Sequence, residues 1–323
     1  MVVTDPTNYL QLNKWMSCLP NKLQHTPLNL ISIPGSHDSA SYSLRHGRGL
    51  APDRSWDGAF TAIHLFPKLT GRFVIKKWFK TQRVDVLDQL NHGVRYFDLR
   101  VASDPCDGDL YFVHGLYGDK IISLLRPMRD FLDENQQEIV FLDFQHFHQV
   151  SHAQHHILIN GLIQLFGSKI CPYVKYRRIE ELTLAEMWSK KYQIIIFYRD
   201  DDLTGRYNEL WPGSMLLNPW GNTACQSKLI PFLWSGLSSR PMDKFYVHQA
   251  ILSPSKALVI RNICNNLYSR LSKNGNQKIE EWLLEVKKTN FKPNIIMVDF
   301  VDYSDYILAK RTILINYDYL DMR

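Results

Sequence analysis

The hydrophobic and polar positions along this chain fall into short apolar runs separated by longer amphipathic stretches. Eight runs read as strands: Leu30–Pro34, Val94–Val101, Leu110–His114, Glu138–Phe144, Tyr192–Tyr198, Ser214–Leu217, Phe245–Ile251 and Asn294–Phe300. Several are almost unbroken in Val, Ile, Leu and Phe, as in IIIFY and NIIMVDF. Strands covered on both faces have that composition, and such strands belong to parallel sheets. Between them lie helix-length amphipathic segments: Thr183–Lys190, Cys225–Ser238, Ala257–Ser272, Gln277–Lys288 and Tyr303–Ile315. Eight strands alternating with helices predict an α/β fold, a TIM-type (β/α)8 barrel, with a doubly wound open sheet as the alternative. The alternation is irregular. The stretch between the first two strands shows no clear strand, and the Ser214 run is weak. With no repeat, low-complexity tract or linker, the expectation is a single domain: an N-terminal arm over residues 1–28 and a catalytic barrel over 29–323.

A barrel gathers its active site at the C-terminal ends of its strands, and that rule selects residues. The first run ends in Ser36-His37-Asp38-Ser39, the second in Phe97-Asp98-Leu99-Arg100, the third in Val113-His114-Gly115 and the last in Val298-Asp299-Phe300. Two histidines can serve as base and acid on opposite sides of a phosphorus. Each needs a carboxylate to fix its tautomer and support the imidazolium; Asp299 is the candidate for His37 and Asp38 for His114. Arg100 would bind non-bridging phosphate oxygens through its planar fork. Asp98 shares its strand face and could orient it or hold a substrate hydroxyl. Taken singly each residue has a blander account: a surface histidine, an N-cap, a structural ion pair. It is their joint fall at strand ends that carries the chemistry.

Composition changes the picture little. The 323 residues are 45% hydrophobic and 22% charged, ordinary for a globular chain that buries a sizeable core. A net charge of +6 suits a phosphate-bearing or membrane-surface partner without requiring one. Five scattered cysteines with no CxxC spacing speak against a disulfide framework or a cysteine zinc site. There is no apolar signal core, membrane-span-length run, N-terminal glycine or CaaX box. The expectation is a soluble cytoplasmic protein whose membrane contact is peripheral. A His146-x-His148 pair followed by His152, His155 and His156 has metal-ligand spacing but lacks a third ligand, and reads as surface and helix-start histidines. Lys68 to Arg83, KLTGRFVIKKWFKTQR, holds six basic residues and no acidic one. Interleaved with Phe73, Trp78 and Phe79, its Lys68, Arg72, Lys76, Lys77 and Lys80 could lie on an anionic membrane, or could simply be the solvated face of a barrel helix. Nucleic-acid binding has no support, because basic residues elsewhere are dispersed. Trp211-Pro212-Gly213 and Pro219-Trp220 read as loops with rim aromatics.

The motifs IPGSHDS, GVRYFDLRV and YFVHG together resemble the X region of phosphatidylinositol-specific phospholipases C, chiefly the small eukaryotic proteins with the X domain alone and the bacterial enzymes. KWFKTQ, EIVFLDF, LWPG and the final VDF extend the resemblance over roughly residues 10 to 316. It implies that His37 deprotonates the inositol 2-hydroxyl, that His114 protonates the leaving diacylglycerol oxygen, and that Asp299 and Asp38 are their partners. In the calcium-dependent enzymes a metal-binding carboxylate stands at the position of Arg100, an asparagine at Asp38 and a glutamate at Gln145. With a cation and an amide in place of carboxylates, neither calcium nor another cofactor is expected. The aspartate that holds the inositol ring in bacterial enzymes is missing from the Phe245–Ile251 run, which offers His248 and Gln249; Gln145 and Tyr198 stand at comparable strand ends. Phosphatidylinositol is therefore the default substrate. The alternatives are a glycerophosphodiester-type phosphodiesterase and a phosphoinositide-binding protein without turnover.

Overall fold

The structure, a computed structural model, describes residues 10–53, 68–173 and 178–317, with side chains from Arg72 onward in the second stretch. Ten strands form one sheet: β1 Ile33–Ser36, β2 Tyr96–Ser103, β3 Leu110–His114, β4 Leu116–Lys120, β5 Val140–His148, β6 Ile194–Tyr198, β7 Leu210–Pro212, β8 Leu216–Leu217, β9 Phe245–Gln249 and β10 Ile295–Val298. Eight of them run parallel in the order β7-β6-β5-β2-β1-β10-β9-β8, the nearly closed barrel that the alternation predicts. The first and last strands meet, with Ile33 opposite Ile295 and Ser36 opposite Val298.

One of the eight expected strands is placed differently, and one stave was not expected. Leu110–His114 is not a barrel stave: β3 pairs antiparallel with the far end of β2 and turns at once into β4. The eighth stave is instead β7, which lies in the Trp-Pro-Gly stretch read as loop. It is short because Pro212, without an N–H, ends its ladder with β6. Among the described residues no ladder joins β7 to β8. Only the turn Gly213–Met215 separates them, and parallel neighbours need a crossover of a dozen residues or so. The predicted helix Ala257–Ser272 is also interrupted, into Lys256–Arg261 and a π-helical turn Tyr268–Ser272 that leads into Lys273–Lys287.

One parity rule organises the core. Ile33, Tyr96, Phe141, Ile195, Phe197, Phe245, Val247, Ile295 and Met297 fill the barrel interior. Their alternates, such as Phe97, Leu142, Ile196 and Ile296, pack against the surrounding helices. The pleat therefore sends every second residue inward. Below this layer the chain segment before β1 is built in: Trp15 and Met16 are buried in the interior cluster. That segment is held by a fully buried ion pair. Arg95 meets Glu138 at 2.7 Å and also donates to the Leu12 and Asn13 carbonyls. Glu138 in turn accepts from the Ser17 N–H at 3.1 Å. Arg95→Met would strand the Glu138 carboxylate and is expected to cost about 3–5 kcal/mol of stability. Denaturant unfolding reads this directly, and a loss below about 1 kcal/mol would mean that water reaches Glu138.

Candidate active site

The inward parity that fills the barrel with apolar side chains delivers polar ones at its upper rim. Continuing each strand by two residues brings His37 from β1, Asp98 and Arg100 on β2, Gln145 on β5, Arg199 after β6, Gln249 on β9 and Asp299 after β10 to one cleft of about 800 Å³. His114 reaches the same cleft by another route, carried inward by the β3–β4 hairpin. Gly115, at φ 68°, makes the turn after it, and a Cβ there would lie 2.7 Å from the Phe79 ring.

The two histidines are held alike at Nδ1 and differ in what holds them. His37 Nδ1 lies 2.7 Å from Asp299 Oδ1, and Asp299 is fixed through Oδ2 by the Ser272 hydroxyl at 3.2 Å. His114 Nδ1 lies 2.6 Å from the Phe79 carbonyl oxygen. An acceptor at Nδ1 places the hydrogen there, so Nε2 of each neutral ring is the reactive atom. Asp38 is a partner of His114, as the sequence suggests, but it meets the ring at Nε2 rather than Nδ1 and shares itself with His37. Its Oδ2 stands 3.1 Å from Nε2 of both His114 and His37, between the two imidazoles, whose centroids are 6.1 Å apart. Asp38 takes this place through a left-handed backbone, φ 40°, a conformation that aspartate tolerates better than most residues. Its N–H donates to Asp98 Oδ2 at 3.0 Å.

Arg100 completes the group. Its Nε is 2.7 Å from Asp38 Oδ1, and its Nη2 is 3.4 Å from His37 Nε2 and 3.9 Å from Asp98 Oδ2. Among the described residues, His37, Asp38 and Asp98 are the one set of three donors close enough to share a metal ion. Arg100 already presents a cation to all three. The candidate ligands His146, His148, His152, His155 and His156 do not converge: His155 Nδ1 meets the Tyr198 hydroxyl and His156 Nδ1 the Tyr207 hydroxyl.

These surroundings separate the two imidazoles in basicity. Burial pulls His37 down, but Asp38 and then Asp299 outweigh it and raise it to about 9. His114 is lowered, first by burial, with Arg100 adding to burial against the pull of Asp38. Asp98 is pushed up to about 6 by burial and by Asp38; Asp38 is held down by Arg100 and the histidines against its own burial.

Tyr198 and His248, both read from sequence as substrate contacts, are not in the cleft. Each has outward parity. Tyr198 is buried in the helix-facing cluster, and His248 is buried beside Tyr246 and Trp282, where loss of water holds it neutral, near 3. The residues one step on, Arg199 and Gln249, take their places. Arg199 is gripped by the buried Asp143 through Nε at 3.2 Å and Nη2 at 3.0 Å. Asp143 also accepts from the Tyr96 hydroxyl, and Gln145 donates to that same hydroxyl. Two further groups escaped the sequence reading although they lie in the KTQ of KWFKTQ. Thr81 and Gln82 donate to the His37 carbonyl at 3.0 and 3.1 Å, and Gln82 also to the Val298 carbonyl.

Comparison with known proteins places the chain among relatives. The chain is 40% identical over 296 residues to PI-PLC X domain-containing protein 2 of Mus musculus, covering 90% of this chain and 84% of the relative. It is 32% identical over 310 residues to PI-PLC X domain-containing protein 3 of Homo sapiens, covering 95% of both. No family model matches the chain. Among solved structures, the phosphatidylinositol-specific phospholipase C from Listeria monocytogenes superposes with a TM-score of 0.63 at 16% identity, over 95% of this chain and 99% of that one. The F249X mutant of the Staphylococcus aureus enzyme gives 0.63 at 19% identity, over 94% and 97%. At that identity the two structures speak to the fold alone. No helix among the described residues is long and apolar enough to cross a membrane.

Proposed function

Because the chain belongs to the PI-PLC X domain-containing proteins, we propose that it is a metal-independent phosphodiesterase that cleaves phosphatidylinositol, or a closely related phospholipid, on the glycerol side of its phosphate. One observation carries the reading. Two imidazoles, each with Nδ1 fixed by an acceptor, turn Nε2 into one cleft on either side of Asp38, which also binds a guanidinium.

The reaction follows from that arrangement. His37 Nε2 takes the proton of a head-group hydroxyl next to the phosphate, and the oxygen attacks phosphorus. Asp299 stabilises the imidazolium that forms. Arg100, with Nε engaged by Asp38, has its Nη groups for the non-bridging oxygens and offsets the charge that builds there. His114 Nε2–H donates to the leaving glycerol oxygen. The products are diacylglycerol and a cyclic phosphate of the head group. The difference in basicity suits these roles: the imidazole backed by a carboxylate is the stronger proton acceptor, and the one backed by a carbonyl yields its proton more readily. Arg199, Gln145, Gln249 and Asp98 are left to hold the head group.

The purified protein is expected to release diacylglycerol from phosphatidylinositol at the same rate with excess chelator as with added calcium. Loss of activity in chelator would overturn metal independence. If phosphatidylinositol binds without turnover under every condition, a binding role would replace the catalytic one.

A further inference from the structure

The cleft does not account for the basic run before β2. The helix Lys68–Phe79 and the residues after it present two faces. Trp78, Phe79 and Thr81 turn into the catalytic cleft. Lys76, Lys77, Lys80 and Arg83 turn the other way, into a separate groove of about 350 Å³ closed by Tyr268 and Phe300. This narrows the expectation from sequence, which laid Lys68, Arg72, Lys76, Lys77 and Lys80 together on an anionic membrane. Arg72 is not part of the groove; its Nη1 donates to the His46 carbonyl at 2.9 Å. Lys68 lies outside the described side chains.

Charge in this groove is one-sided. Among the described residues no carboxylate lies within ion-pair distance of Lys76, Lys77 or Lys80; Arg83 is paired with Asp302 at 2.8 Å and stacks 4.2 Å over the Tyr268 ring. The crowding is felt: Lys80 is lowered by burial and then by Lys76 and Arg83, and His46 on the groove wall by burial and then by Lys76 and Arg72. Three ammonium groups without an ion-pair partner among the described residues, with Asp302 acting on Lys80 only from a distance, form beside aromatic walls a receptor for a phosphate-bearing anion. Two exposed aromatics indicate that the anion is presented by a bilayer. Phe73, 52% exposed, stands at the groove, and Trp220, 54% exposed, stands at the cleft. Such side chains gain by entering a lipid interface and gain nothing from a free anion.

We propose that this groove is a second lipid site, separate from the catalytic cleft, that takes the head group of an anionic phospholipid and seats the barrel mouth on the membrane. The site uses neither catalytic histidine, so binding is separable from turnover.

Sedimentation with phosphatidylcholine vesicles, with and without phosphatidylserine, tests it. The triple variant Lys76→Gln, Lys77→Gln, Lys80→Gln is expected to lose about 100-fold in partition onto the phosphatidylserine vesicles, at roughly fivefold per lysine, with no change on neutral ones. Three lysines at the opposite end of the barrel serve as the control. Lys22→Gln, Lys190→Gln, Lys244→Gln carries the same charge change and is expected to bind as wild type. Equal losses in both triples would reduce the effect to net charge and overturn the site. A free-anion site would show differently: inorganic phosphate would bind the wild type and not the groove variant, while vesicle binding stayed equal. Should the triple variant melt early, the single Lys77→Gln, at an exposed position, is expected to lose about fivefold, and no loss there would overturn the proposal too.

Discussion

His37→Ala is expected to lower kcat/KM on phosphatidylinositol about ten-thousand-fold, and His114→Ala by a comparable factor, since each removes one proton transfer from the transition state. The two losses should separate when the leaving group changes. A substrate that releases a phenolate of low pKa needs no proton on departure, so it should restore most of the activity of His114→Ala and none of that of His37→Ala. Restoration of both, or of His37→Ala alone, would reverse the assigned roles. The pH profile of the wild type follows from the same geometry. The productive form has His37 neutral and His114 protonated, whereas the resting preference is the reverse: His37 is raised to about 9 and His114 is lowered below its usual 6.5. Both arrangements carry one proton, so their ratio does not change with pH between the two values, and kcat/KM should be flat there. It should fall at low pH, where both rings are protonated, and fall again above about 9, where neither is. An alkaline limb near the ordinary imidazole value would show that Asp38 and Asp299 do not act on His37 as their distances imply. Asp299→Asn, which removes one of the raising charges, should move that limb down.

Arg100→Leu is the second large effect: a loss of about a hundred- to a thousandfold in kcat, the scale of removing a preorganised group that stabilises transition-state charge. Arg100→Lys should recover only part of it, because a point charge cannot keep Nε on Asp38 while offering further N–H groups to phosphate oxygens. The Leu variant also takes from Asp38 and Asp98 the guanidinium that lowers both, and a buried carboxylate that loses a neighbouring cation holds its proton to higher pH. The variant's acid limb should therefore begin at a higher pH than that of the wild type. A Leu variant with more than about a tenth of wild-type activity would reduce Arg100 to a structural partner of Asp38.

The barrel is legible because strands buried on both faces read as continuous apolar runs, and seven of the eight runs are staves. The same property concealed which residues of each run point inward. In IIIFYR nothing distinguishes the two faces, so the strand-end rule points to Tyr198 where Arg199 lines the cleft. The Phe245–Ile251 run likewise offers His248 and Gln249 together, and only Gln249 lines the cleft. The Asp98–Arg100 pair held the clue: its parity, extended to each strand end, selects His37, Gln145, Arg199, Gln249 and Asp299 together. Of the eight expected staves, one belongs to a hairpin, and the real eighth was hidden by the proline and glycine that keep it short. His114 was found for an incomplete reason. The strand-end rule selected it, but the hairpin brings it in and a backbone carbonyl orients it, and a carbonyl at long range has no sequence signature. Thr81 and Gln82 were visible as letters in a motif. Their bonds to the His37 carbonyl depend on a packing that one sequence does not encode locally.

The meeting of β1 with β10 has a bearing on the order of assembly. Gln82 ties the His37 carbonyl to the Val298 carbonyl, and His37 is oriented by Asp299, 262 positions later in the chain. A chain emerging N-terminus first can form β1, β2 and the hairpin, and so hold His37, Arg100 and His114, long before their proton-transfer geometry exists. The last stave both joins the two halves of the barrel and switches on the base. Catalytic competence is thus bound to the contact with the greatest loop-closure cost and the slowest expected formation, and a half-made barrel carries its histidines without their chemistry.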